Sequence, residues 1–138
     1  MTNFICTCSE DKGASLKSQE IIEFPIVIVD VKNKCIKSTF KTLVKPTIDT
    51  KLTDYCTELT GITQEQVDGA VDLQTAVTQA HEFLEKEGVF GTEFVFLQYG
   101  EFFGKQLMDE TKAKNINVPS YMRRWINIRK IFPADYEN

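Results

Sequence analysis

An α/β domain built on a mixed sheet is the fold class this sequence predicts, on three patterns. Residues 21–44 alternate as a β-hairpin, residues 53–86 carry three successive helix-start signals, and residues 93–99 form an apolar strand leading into another helical stretch. Strand, hairpin, helices, strand and helix in that order make an α/β layout.

Each element has its own reason. Residues 3–8 alternate weakly and suggest a short strand, and the polar residues 9–18 suggest a connection. Residues 21–31 are rich in Ile and Val and include Pro25, which has no N–H to give a ladder and so points to an edge or bulged position. Lys32-Asn33-Lys34 marks a turn, and residues 35–44 alternate with lysines, so one face of the hairpin is wet. Beyond Pro46, Thr53 or Asp54 can cap a short helix over residues 55–59 that Gly61 ends. Thr63 followed by Gln66 is a capping-box pattern. Asp72 caps a longer amphipathic helix with Leu73, Val77, Ala80 and Leu84 at helical spacing. The run 93–99 reads as a strand, and residues 102–115 as a helix with Phe103, Leu107 and Met108 inward. The tail around Pro119 and Trp125 reads as irregular chain or short helix.

Bulk properties bound the function classes. The 138 residues suit one domain with one core, taken here as residues 1–138. Hydrophobic residues make up 42% and charged residues 26%, the balance of an ordinary globular chain rather than a disordered one. A net charge of −4 supplies no global basic field, which argues against tight non-specific nucleic-acid binding by the whole surface. Cys6 and Cys8 form a C-x-C, but neither Cys35, Cys56 nor the single histidine, His81, completes a zinc pattern. The N-terminal residues lack a signal-peptide pattern, and no segment approaches the roughly 20 apolar residues that span a bilayer. Reduced thiols in the cytoplasm or nucleus are the expectation.

One cluster stands out on residue chemistry alone. Arg123, Arg124, Arg129 and Lys130 interleave with Tyr121 and Trp125, a mix suited to phosphate contact and base stacking. The alternative, equally open, is a solvated face with Trp125 in the core. The aromatic stretch Phe90, Phe94, Phe96, Phe102 and Phe103 is ordinary core material.

Residues 19–68, with the motifs Asn3-Phe4-Ile5, Gly100-Glu101-Phe102-Phe103 and Trp125-Ile126-Asn127-Ile128-Arg129-Lys130, resemble a DEDDh-type 3′–5′ exonuclease domain of the histone-mRNA and enhanced-RNAi family. The resemblance covers roughly residues 3–130. It implies an RNase H-like mixed sheet flanked by helices, truncated at both ends in this chain. It also implies chemistry by two divalent metals held on carboxylates, with a His as general base. The positions that match the metal-binding carboxylates hold Asn3, Ile5 and Phe103, and the region matching the His and last Asp is absent. Glu101, Glu10 and Asp11 are exposed solubilising acids on this view, not replacements. The resemblance places Leu59-Thr60-Gly61-Ile62-Thr63 near the nucleotide pocket, where Thr60 and Gly61 would contact a 3′-terminal nucleotide; otherwise the segment is only a Gly-terminated helix joined to a capped one.

The expectation is a catalytically inactive domain with no metal cofactor, binding single-stranded or stem-loop RNA weakly or serving as a protein-interaction scaffold. A protein partner would cover apolar surface that the short first strand leaves open. The competing expectation is an active exoribonuclease using Mg2+ or Mn2+ through unusual ligands or a partner chain.

Overall fold

The computed structural model describes residues 2–3, 20–98 and 102–131, with the backbone alone at 2–3 and 102–104. Five strands form one sheet in the order β3-β2-β1-β4-β5. They are β1 (Thr2–Asn3), β2 (Glu23–Asp30), β3 (Cys35–Leu43), β4 (Phe96–Gln98) and β5 (Trp125–Asn127). β2 runs antiparallel to both β1 and β3, while β1, β4 and β5 run parallel. The helices are α1 (Asp54–Thr60), α2 (Gln64–Asp68), α3 (Leu73–Lys86), α4 (Phe102–Ala113) and the single turn α5 (Ile128–Ile131). No helix among the described residues is long and apolar enough to cross a membrane.

The hairpin forms as its alternation predicts, with Phe24, Ile26 and Ile28 buried on one face of β2. Its turn is closed by Asp30, whose carboxylate accepts from the Asn33 backbone and side-chain amides at 3.0 and 2.8 Å. Pro25 corrects an expectation: β2 is an interior strand, and the register shift falls at Ile28/Val29, not at the proline. The reason is pairing parity. Val44 N–H donates to Ile22 C=O at 2.8 Å, so alternation along the ladder makes Pro25, opposite Lys41, a non-hydrogen-bonded site. The ring therefore removes no bond between β2 and β3.

The helix caps fall where the sequence places them. Thr53 Oγ1 accepts from Cys56 N–H, and Gly61 ends α1 in the left-handed region at φ 73°. Thr63 and Gln66 complete the capping box reciprocally. Asp72 caps α3, and its buried face carries Leu73, Ala76, Val77, Ala80 and Leu84 into the main core with Phe24, Ile26 and Ile28. Burying each such large side chain contributes about 1.5–3 kcal/mol. A smaller core of Ile22, Cys56, Ile62 and Val67 seats α1 and α2.

Two elements at the β4–β5 side of the sheet depart from the sequence expectation. β4 begins at Phe96 rather than residue 93, because β1 reaches it only at Leu97 and β5 only at Phe96. A strand needs a neighbour to bond, however apolar its residues. The tail, expected as irregular chain or short helix, contributes a strand as well: Trp125–Asn127 pairs with Phe96–Gln98. Residues 4–8, the connection 9–18, and Tyr99, Gly100 and Glu101 lie outside the described residues.

A buried ionic network ties the chain entering β2, the chain leaving β3 and α4 together. Glu20, immediately before β2, accepts from the backbone N–H groups of Thr47, Ile48 and Asp49. Lys114, at the end of α4, donates to Glu20 at 2.6 Å and to Glu110 at 2.8 Å, and Glu110 accepts from Ile21 N–H at 2.9 Å. Burial pushes the Glu110 carboxyl above its usual range in spite of Lys114 and the Ile21 amide. Against the same burial, Lys114 and the three amides hold Glu20 below it. Lys114 itself is held above its ordinary range by the two carboxylates, burial notwithstanding.

Lys114→Met would leave two buried carboxylates without a cation and is expected to cost about 3–5 kcal/mol at neutral pH, measured by chemical denaturation. The sign with pH follows from each group. Stability from Glu20, whose folded value is lowered, is present above 4.5 and lost as pH falls through that lower value. Glu110, raised, favours the folded state below 4.5, and that gain fades as pH rises through its folded value. The cost of Lys114→Met should therefore shrink as pH approaches 4.5 and the carboxyls take up protons. A cost independent of pH would refute the assignment.

Candidate nucleic-acid interface

The strand order locates the site. From β1 the chain builds β2 and β3 on one side, then crosses to place β4 and β5 on the other. The parallel neighbours β1 and β4 thus flank a topological switch point, and in open α/β sheets ligands bind beyond the carboxyl ends of the strands at such a point. Asn3, Gln98 and Asn127 sit side by side in register at those ends. α4 starts immediately beyond, with Phe103 as its second residue. Of the three positions that the resemblance matches to metal-binding carboxylates, Asn3 lies on β1 and Phe103 on α4. Ile5 lies outside the described residues.

Antiparallel pairing brings further elements to the same end. The start of β2 and the end of β3 lie there, so the smaller core on Ile22 and Leu43 anchors α1 and α2 nearby. Ile62, 6% exposed, is the peg that holds the Thr60–Gly61 corner. The corner's own groups are used internally. Thr60 Oγ1 donates to Cys56 C=O at 2.8 Å and accepts from Ile62 N–H at 3.1 Å, and Gly61 N–H donates to Thr57 C=O at 2.8 Å. The Thr60 hydroxyl proton and the Gly61 N–H are thus used within the corner, and a ligand there would meet its remaining surface. No side chain lies within 4 Å of where a Cβ at Gly61 would be. Gly61→Ala should therefore cost only its left-handed backbone, about 1–2 kcal/mol, seen as a lowered melting temperature with an unchanged fold.

The basic–aromatic cluster is divided by β5. Arg129 and Lys130 follow β5 on α5, at the switch-point end, whereas Arg123 and Arg124 precede it and lie at the other end of the strand. Trp125 is half-buried and packs against the main core, and Tyr121 is held in an aromatic group with Phe90, Phe94 and Phe96. The Tyr121 hydroxyl is 2.6 Å from His81 Nδ1, and burial pushes its ionisation up to about 12. His81 thus packs on α3 against Tyr121 and Phe90. Sequence reasoning missed the Glu20–Lys114–Glu110 network at the switch-point end. The i,i+4 spacing of Glu110 and Lys114 was the available signal, but nothing local told Glu20 apart from a surface acid.

The class is thus an α/β domain with its candidate site at a strand-end switch point. The exonuclease (RNase_T) family model matches residues 6–138, and the chain belongs to that family. It is 34% identical over 133 residues to ERI1 exoribonuclease 3 of Homo sapiens, covering 94% of this chain and 39% of that relative. The nuclease domain of 3′hExo, a DEDDh family member solved bound to rAMP, superposes with a TM-score of 0.90 at 30% identity over 99% of this chain and 70% of that one. A 3′-exonuclease solved in 3′-end-specific recognition of the histone mRNA stem-loop gives a TM-score of 0.86 at 29% identity, over 99% of this chain and 62% of that one. The RNase H-like fold expected from the sequence is the fold observed, and the chain spans about two-fifths of its human relative.

Proposed function

We propose that this domain is a non-catalytic member of the exonuclease family that binds RNA 3′ ends weakly, without a divalent-metal cofactor. The row of strand-end positions carries the proposal: Asn3, Gln98 and Asn127 are three amides in register, with no carboxylate among them. Magnesium and manganese take hard, charged oxygen ligands, and two such ions close together need several carboxylates to offset their charge. An amide offers one neutral oxygen, Ile5 and Phe103 offer none, and Asn127 Oδ1 already accepts from Arg129 N–H at 3.1 Å. Among the described residues no three His, Cys, Asp or Glu side chains converge on one point. The donor set does not fit a two-metal centre, and no hydrolytic step is derived through one. Glu20 and Glu110 cannot substitute, because Lys114 and backbone amides already occupy their oxygens.

The RNA half of the proposal rests on kinship and on the placement of Arg129 and Lys130. Relatives with this fold were solved with rAMP and with a histone mRNA stem-loop. At this end of the sheet α5 supplies two cations, which attract phosphates without reading sequence.

Fluorescence anisotropy with a short single-stranded RNA is expected to give micromolar binding that weakens as salt rises. Arg129→Glu with Lys130→Glu should weaken it and lower the salt slope by about 0.7 per lost phosphate contact. Arg123→Glu with Arg124→Glu, at the other end of β5, should do less. Equal effects from the two pairs would refute the placement. Incubation of single-stranded and stem-loop RNA with Mg2+ or Mn2+ should leave the RNA intact. Degradation that a chelator abolishes would overturn the non-catalytic assignment. Calorimetric titration should show no Mn2+ binding to the native chain, and binding to the variant with Asn3→Asp, Ile5→Glu and Phe103→Asp.

A further inference from the structure

The net charge of −4 conceals a sorting of charge along the chain. Residues 32–51 hold six lysines (Lys32, Lys34, Lys37, Lys41, Lys45 and Lys51) against one acid, Asp49, whereas residues 52–85 hold seven acids and no Lys or Arg. The fold turns the first block into a basic rim. Among the described residues β3 is the outermost strand on its side of the sheet, and all six lysines are exposed. Lys34 stands at the hairpin turn, Lys41 on β3 and Lys45 two residues past its end. The row from Lys34 to Lys45 therefore runs from the turn to the switch-point end, roughly 35 Å at about 3.3 Å per residue.

Strand pairing decides how the row is presented. Lys37 is the extra residue of the bulge between Ile36 and Ser38, and its Nζ donates to Glu87 C=O at 2.7 Å, so it serves the end of α3. Lys41 faces Pro25 at a non-hydrogen-bonded site, which turns its backbone N–H outward, away from β2. Its ammonium lies 3.0 Å from Glu23 with the lysine side chain 65% exposed. An ion pair so exposed contributes little and yields readily to a stronger anion. The acids of residues 52–85 are exposed in turn, at Asp54 and Glu58 on α1, Glu65 and Asp68 on α2, and Glu82 and Glu85 on α3.

We propose that this rim, through Lys34, Lys41 and Lys45, is a phosphate track for the body of an RNA whose 3′ end lies at the switch-point end of the sheet. The proposal rests on the RNA-binding assignment above and narrows its substrate class to RNAs long enough to run from that end along β3. Two features favour RNA over an acidic protein segment. A peptide docks on an outer strand by extending the ladder, and lysines and bulges guard an edge against that addition. Phosphates need only point charges and N–H donors, which the same residues supply. The row also ends where the 3′-end site begins, since Lys45 follows β3 at the switch-point end, so one RNA can occupy both. Acids on α1, α2 and α3 repel a polyanion and leave the rim as its favourable path. Such contacts read no sequence.

Fluorescence anisotropy of the 138-residue chain with oligouridylates of about 4 and about 16 nucleotides separates the rim from the 3′-end site. At low salt the longer RNA is expected to bind about tenfold more tightly or better, with a steeper salt dependence. Lys34→Gln, Lys41→Gln and Lys45→Gln together should remove that advantage and lower the salt slope for the longer RNA by about 2, at about 0.7 per phosphate contact. Lys34→Arg, Lys41→Arg and Lys45→Arg keep the charge and should keep the advantage. Equal affinity for the two lengths, or an advantage that survives the three glutamines, overturns the track and leaves the 3′-end assignment standing. Absence of salt-sensitive binding to either RNA overturns both. Poly-glutamate of matched charge that displaces the longer RNA would give the rim to an acidic protein segment and overturn the RNA track.

Discussion

The Glu20–Lys114–Glu110 network is the constraint from which the arrangement of this domain follows. One lysine bridges two buried carboxylates, and those carboxylates in turn hold backbone amides of residues 21 and 47–49. Buried ion pairs are weak sources of net stability, since desolvation offsets much of their attraction. Their value here is positional. The network fixes α4 against the entry of β2 and holds the chain leaving β3, so the end of the sheet where β1, β4 and β5 finish has a defined shape.

A strand-end switch point will seat a ligand in almost any α/β sheet, because helix starts and strand ends converge there. What the ligand experiences depends on a few side chains. Amide-bearing residues stand in register at Asn3, Gln98 and Asn127, and Phe103 is the second residue of α4. On the non-catalytic reading proposed above, that set would offer polar partners to a nucleotide and little to a divalent cation. The framework and the chemistry of an exonuclease are separable, since core packing maintains the first and a handful of carboxylates the second.

Much of the fold was legible because its signals are local. Thr53, Thr63 and Asp72 each cap a helix through their own side chains, and Gly61 ends one through its own backbone freedom. The alternation of β2 reports its buried face directly. β5 was not legible, since Trp125–Asn127 is three residues long and becomes a strand only by pairing with Phe96–Gln98. β4 was over-extended for the converse reason: residues 93–95 look like strand but have no described neighbour to bond. Pro25 misled because a proline's cost in a sheet depends on pairing parity, which no single strand reveals.

By itself, the sequence determined the fold class, the helix caps and the hairpin, all properties of residue type and short-range order. Tertiary structure decided which distant residues share an end of the sheet. It put Arg129 and Lys130 beside the switch point and left Arg123 and Arg124 across β5, and it turned Glu20 from a surface acid into a buried anchor. Those outcomes depend on strand order and register, which arise from contacts between residues up to 94 positions apart and so leave no trace in any local window of sequence.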